Sequence, residues 1–315
     1  MVIITDISII LICLIGLTKG ASWLVDSAVS IAEKMGISQM VIGLTIVAFG
    51  TSAPEFGVTV LAALKGASDI SVGNVVGSNI FNLGFILGGA ALVKSLRTDK
   101  KLLYRDGAVL LSGTILLTLF LYNLRLSRIE GAMLFLLLLF YIALLFKNGK
   151  TPKPAPQSNS IYPPSKRIHL WTLLIFIAGL ATILLSSHFL VESAVNLARI
   201  IGVSEWVIGV TIIAAGTSMP EFATSVIAAI RGHHGISIGN LIGSDIFNMF
   251  GVLGIAAIIR TLPIDISARS SLLMLIMMVV FVLLFIRTGW AISRKEGLFL
   301  VFIGLIRWVL DFLSN

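Results

Sequence analysis

"VIGLTIVAFGTSAPEFGVTVLAAL" at residues 41–64 aligns without a gap to "VIGVTIIAAGTSMPEFATSVIAAI" at 207–230, with 15 of 24 positions identical. "ISVGNVVGSNIFN" at 70–82 aligns at the same offset of 166 residues to "ISIGNLIGSDIFN" at 236–248, with 9 of 13 identical. Upstream, "LVDSA" (24–28) meets "LVESA" (190–194) at that offset too. A constant offset through three separate matches reads as duplication of one ancestral unit.

The unit is apolar. Of 315 residues, 57% are hydrophobic and 12% charged, with a mean hydropathy of +1.04. Soluble domains carry about 25% charged residues. Uncharged stretches at 107–124, 131–146, 170–191 and 270–286 each approach the length that crosses a bilayer as a helix, about 20 residues. The expected fold is an all-α polytopic membrane protein. Ten spans are expected, at 7–32, 40–64, 70–93, 106–124, 129–146, 170–198, 206–230, 236–259, 270–287 and 296–313. That gives a first five-helix repeat at 1–147, a cytoplasmic linker at 148–168 and a second repeat at 169–315. The linker is polar and holds five of the eight prolines, so it reads as extended chain outside the bilayer.

An odd number of spans per half turns the second copy upside down. Loop charge agrees: with the N-terminus outside, 15 Lys and Arg fall in cytoplasmic loops and seven in outer ones. The net charge of +8 is therefore a topology signal and not a nucleic-acid stripe. Residues from Ile7 read as the first helix; no basic n-region or small-residue cleavage site marks a signal peptide. Cys13 stands alone, which excludes a disulfide.

Against this background Glu55 and Glu221 are anomalous. A carboxylate at mid-bilayer costs about 2.5–3.5 kcal/mol on insertion scales. Each follows a proline, Pro54 or Pro220, which removes a helical hydrogen bond. Gly50, Thr51 and Ser52, and again Gly216, Thr217 and Ser218, let the preceding turn open. Freed main-chain oxygens, two hydroxyls and a carboxylate then share one turn and one face. Such hard oxygens suit Ca²⁺, Na⁺ or Mg²⁺ and not metals that want imidazole or thiolate. Ser78 and Asn82, matched by Ser244 and Asn248, add oxygens at i,i+4 spacing. Gly73-xxx-Gly77 and Gly239-xxx-Gly243 bare the backbone for close helix approach. Two carboxylates balance one divalent cation.

Other chemistries lack their residues. His169, His188, His233 and His234 make no zinc spacing. Ser52 and Ser218 have no partnered His for hydrolysis. The glycines at 73–78 lack the Gly-Lys-Ser/Thr ending of a phosphate loop. No enzyme activity and no cofactor are expected.

"GTSAPE" with "GNVVGSNIFN", and "GTSMPE" with "GNLIGSDIFN", resemble the α-repeats of the cation/Ca²⁺ exchanger superfamily, in its prokaryotic-type sodium/calcium exchanger branch. The resemblance covers essentially the whole chain and implies electrogenic Na⁺-driven Ca²⁺ antiport by alternating access. It implies that Glu55 and Glu221 bind Ca²⁺ with the main-chain oxygens of Thr51 and Thr217. It implies Na⁺ sites drawing on Ala48, Thr51, Ser52 and Ser78, and on Ala214, Thr217, Ser218 and Ser244. The first and sixth spans resemble the pair that slides to switch access. Amides at Asn82 and Asn248 argue against K⁺ co-transport.

The expected partners are Ca²⁺, Na⁺ and the lipid bilayer of the cell membrane, with a functional monomer. Exchange of Ca²⁺ for protons is the alternative within transport; a passive channel and a membrane scaffold are the rivals outside it. Asp245, which replaces the first repeat's Asn79, is expected to flank the site or to bond a neighbouring helix. Asp26 and Glu192, near span ends, are expected to be structural or gating residues.

Overall fold

The computed structural model describes residues 2–148, 169–203, 212 and 214–313. Most of the expected linker, 149–168, and much of the first half of the span expected at 206–230 lie outside them.

The described residues are helical almost throughout. The elements are α1 (Val2–Met35), α2 (Gln39–Thr51), α3 (Ala53–Lys65), α4 (Ser68–Val93), α5 (Leu102–Asn123) and α6 (Arg128–Asn148). They continue as α7 (Leu170–Ile200), α8 (Ala214–Thr217), α9 (Met219–Arg231), α10 (His234–Ile259), α11 (Ala268–Gly289) and α12 (Arg294–Leu313). Among the described residues, seven helices are long and apolar enough to cross a membrane, or eight if bent α2–α3 forms one span. α12 is interrupted by Arg307 and Asp311 and is not among them.

Local chemistry sets several boundaries. Gly66 (φ +80°) and Gly232 (φ +83°) end α3 and α9 in the left-handed conformation that glycine adopts without strain. Ser127 and Glu130 form a reciprocal capping box at the start of α6, and Ser293 and Glu296 repeat it at the start of α12, with 2.7 Å bonds in both.

The halves interlock through contacts related by the same offset. Strand β1 (Leu96–Arg97) pairs antiparallel with β4 (Ala291–Ile292), and β2 (Arg125–Leu126) with β3 (Leu262–Pro263). A Cβ on Gly88 would lie 2.8 Å from the Gly297 carbonyl, and one on Gly131 2.8 Å from that of Gly254, so α4 meets α12 and α6 meets α10 backbone to backbone. Arg128 donates to the Ile259 carbonyl and Arg294 to that of Val93, both at 3.2 Å. The helices carrying the "GN…N" motifs sit deepest. In their most apolar stretches, 72% of α4 and 83% of α10 is buried, against 22% of α1 and 28% of α7. α1 and α7 pack along each other at the edge.

The Gly-xxx-Gly expectation holds at Gly239 and Gly243; residues 206–210, which match the α2 segment at the offset of 166 and would face Gly73 and Gly77, lie outside the described residues. Gly239 and Gly243 seat α10 on α2, where a Cβ at Gly243 would come 2.6 Å from Leu44 Cα. Gly73 and Gly77 are exposed, and no described residue would come within 4 Å of a Cβ there. Gly243→Ala should force α2 and α10 apart, at a cost of about 1–3 kcal/mol. A clear drop in the melting temperature of the purified protein is the expected result.

Candidate cation site

The chain breaks at the serine of each motif. Between α2 and α3 it bends by 51°, with Ser52 at φ −79°, ψ 12°; Ser218 repeats this at φ −90°, ψ 8°. Pro54 and Pro220 then occupy the first turn of the following helix, where a missing N–H costs nothing. The expected opening is thus confined to a single residue, since Ser52 N still donates to Ala48 O and Phe56 N to Ser52 O, each at 3.0 Å.

These breaks bring the two motifs face to face. Ser52 Oγ donates to Glu221 Oε1 at 2.9 Å, and Ser218 Oγ donates to Glu55 Oε1 at 3.0 Å. Each carboxylate is held by the serine three residues before the other. Ser244 Oγ adds a 3.3 Å bond to Glu221 Oε1, and Thr217 lies within hydrogen-bonding reach of Glu55. Both glutamates are fully buried, and the second oxygen of each, Glu55 Oε2 and Glu221 Oε2, has no hydrogen-bond partner. Buried carboxylate oxygens left unpartnered are costly and uncommon in folded proteins. The donors saturate one side of each carboxylate and leave the other free for a cation.

The remaining residues singled out in the sequence divide. Thr51 is buried, and its Oγ1 donates to Asn240 Oδ1 at 3.0 Å and to Ala48 O at 3.3 Å. Ser78 is buried, but its hydroxyl bonds back to Val75 O at 3.2 Å and not to a carboxylate. Ala214 begins α8, and its side chain lies outside the described residues. Asn82 and Asn248 begin matching π-helical turns, Asn82–Ile86 and Asn248–Val252, a distortion that concentrates at functional sites. Asn82 Nδ2 donates to Asp245 Oδ1 at 3.0 Å, so Asp245 bonds a neighbouring helix through one of the expected site residues. Asp26, near the end of the first expected span, is exposed and forms an ion pair with Arg231 of α9.

Sequence reasoning missed Asn74 and Asn240. Asn240 links Thr51 to Ser225, whose Oγ accepts from Asn240 Nδ2 at 3.0 Å. Asn74 Nδ2 donates to Thr59 Oγ1 at 2.9 Å and to Glu55 O at 3.3 Å. Both lie four residues before the serines of the second motif, on the same stripe, and that spacing was the available signal. No group of three or more His, Cys, Asp or Glu gathers among the described residues, so the site is one of hydroxyl, amide and carboxylate oxygens.

A family model described as sodium/calcium exchanger protein matches residues 6–147 and 171–306. The chain belongs to the sodium/calcium exchanger family. CaxA of Alkalimonas amylolytica is 39% identical over 308 residues, covering 94% of this chain and 95% of that one. The sodium/calcium exchanger MaX1 of Methanosarcina acetivorans is 33% identical over 330 residues, covering 93% and 94%. Among solved structures, the sodium-calcium exchanger NCX_Mj soaked with Na⁺ and Sr²⁺ superposes with a TM-score of 0.85 at 31% identity, over 96% of this chain and 97% of that one. The protein is a multi-pass membrane protein of a transporter family, in agreement with the resemblance read from its repeats.

Asn240→Ala should remove the amide donor to Ser225 Oγ and leave Thr51 Oγ1 only its 3.3 Å bond to Ala48 O, at a cost of about 1–3 kcal/mol. A lower melting temperature in the purified protein is expected, with a smaller loss for Asn74→Ala because Asn74 is only half-buried.

Proposed function

We propose that the chain is a Na⁺/Ca²⁺ antiporter of the cell membrane. It would be built as two inverted five-helix repeats, 1–147 and 169–315, joined by a cytoplasmic linker at 148–168, with the N-terminus outside. The observation that carries this reading is the reciprocal Ser52–Glu221 and Ser218–Glu55 pairing, with Glu55 Oε2 and Glu221 Oε2 left free. Two formal negative charges at that position match one Ca²⁺, whose preferred ligands are carboxylate and carbonyl oxygens. The family resemblance and the interlocked halves support the repeat arrangement, and loop charge supports the orientation. Both motifs come from one chain, so a monomer suffices for transport.

In this reading Glu55 and Glu221 hold Ca²⁺ together with main-chain oxygens of Thr51 and Thr217. The Na⁺ ligands come from Ala48, Thr51, Ser52 and Ser78 and from Ala214, Thr217, Ser218 and Ser244. Ser52, Ser218 and Ser244 already donate their hydroxyl protons to the carboxylates, which turns their lone pairs toward whatever cation enters. Because the same oxygens serve both ions, filling the pocket with one excludes the other. Exchange follows if the empty, uncompensated pocket cannot switch sides at an appreciable rate, since bare buried charge is the costliest state. Alternating access requires an element that can slide. α1 and α7 fit that role, because they pack tightly on each other and expose most of their remaining surface.

The test is Ca²⁺ uptake into proteoliposomes preloaded with Na⁺, with and without an imposed pH gradient. Uptake should track the outward Na⁺ gradient; uptake that ignores Na⁺ and follows pH would replace Na⁺ by protons as the driving ion. Glu55→Gln or Glu221→Gln should abolish Ca²⁺ flux, and wild-type flux in either would remove the site.

A further inference from the structure

Beside the paired glutamates lies a third fully buried carboxylate, Asp245, that the Ca²⁺ reading leaves uncompensated. It stands where the repeat is broken: the first half has Asn79 at the matching position. Asp245 Oδ1 accepts from Asn82 Nδ2 at 3.0 Å, and its main-chain oxygen accepts from Asn79 Nδ2 at 3.1 Å. Asn79 Oδ1 in turn accepts from Asn248 Nδ2 at 3.2 Å. Every amide N–H₂ in this cluster has an acceptor. Three oxygens are left without a donor: Asp245 Oδ2, Asn82 Oδ1 and Asn248 Oδ1. All three residues are at most 1% exposed.

A short chain of hydrogen bonds links the residues that carry the three oxygens. Asn82 Oδ1 belongs to the planar amide whose nitrogen bonds Asp245. Asn248 is one helical turn from Asp245 on α10, tied to it through Asn79. Among the described residues, no Lys, Arg or His is bonded to Asp245, so its charge has no protein counterpart. One carboxylate oxygen and two amide oxygens, with no donor between them, are a hard-oxygen ligand set of single negative charge. A monovalent cation of the Na⁺ kind fits that set, because it satisfies several acceptors at once and cancels one charge. We infer that Asp245 Oδ2, with the side-chain oxygens of Asn82 and Asn248, forms a separate Na⁺ subsite adjoining the Glu55–Glu221 pair. Asp245 is then a ligand that sets the Na⁺ dependence of exchange, and not only a link between helices. This rests on the reading that Na⁺ is the driving ion.

Direct binding tests it independently of transport. Purified full-length Glu55→Gln/Glu221→Gln protein, with Ca²⁺ chelated, is titrated with radiolabelled Na⁺ in the presence of a fixed excess of a bulky organic cation. Saturable Na⁺ binding is expected, and its stoichiometry should fall by one site when Asp245→Asn is added. No saturable binding in the double variant overturns the proposal, as does a stoichiometry that is unchanged by Asp245→Asn. In proteoliposomes, Asp245→Asn alone should raise the Na⁺ concentration for half-maximal Ca²⁺ movement by about tenfold, as expected when a hard-cation site loses its charged ligand. An unchanged Na⁺ half-saturation in a folded variant also overturns it. If wild-type uptake follows pH and not Na⁺, the coupling reading falls, while the binding titration still decides whether Asp245 holds Na⁺.

Discussion

The structure turns on two carboxylates buried together, with no oppositely charged side chain paired to either among the described residues. Glu55 and Glu221 are fully buried, and each is hydrogen-bonded on one side only. Much of the surrounding architecture serves to keep this arrangement possible. The helix breaks at Ser52 and Ser218 deliver the carboxylates to the centre and place each serine within reach of the opposite glutamate. Prolines at the start of the following helices end the preceding ones without orphaning a buried N–H. The amides of Asn74 and Asn240 tie these broken segments to α4 and α10. Those ties add to the serine–carboxylate bonds that hold the bent chain in one geometry.

Duplication supplies this arrangement economically. Each motif contributes a carboxylate and a serine, and the serine bonds the carboxylate of the other motif. Two copies facing each other satisfy both serines and one oxygen of each glutamate across the interface. The same logic recurs at the periphery, where the strand pairs and the Gly88–Gly297 and Gly131–Gly254 crossings each join one half to the other. The halves are nevertheless unequal. Asp245 replaces an asparagine and adds a charge to one side alone. Such departures are where a duplicated scaffold acquires properties that neither copy has by itself.

Much of the fold and the heart of the site were legible in the chain. Apolar runs of membrane length, the constant offset and the proline-rich seam depend on composition and order, which need no coordinates. Glu55 and Glu221 were legible because an ionisable residue in such a run is too costly to persist without a partner or a task. The hydroxyl at i−3 from each glutamate was visible from helical spacing. It was not visible that Ser52 would choose Glu221 and not Glu55, or that Ser78 would turn back to its own helix while Ser244 reached the carboxylate.

The sequence by itself determined which residues share a helical face and at what depth, because helix geometry is fixed by neighbours a few positions away. Only the tertiary structure decided which polar atoms find partners across helices and which oxygens are left without one. That choice is made by atoms more than a hundred residues apart in the chain, at distances where a shift of one ångström makes or loses a hydrogen bond. The coupling of Asp245 to Asn82, and the free oxygens beside it, belong to that second class.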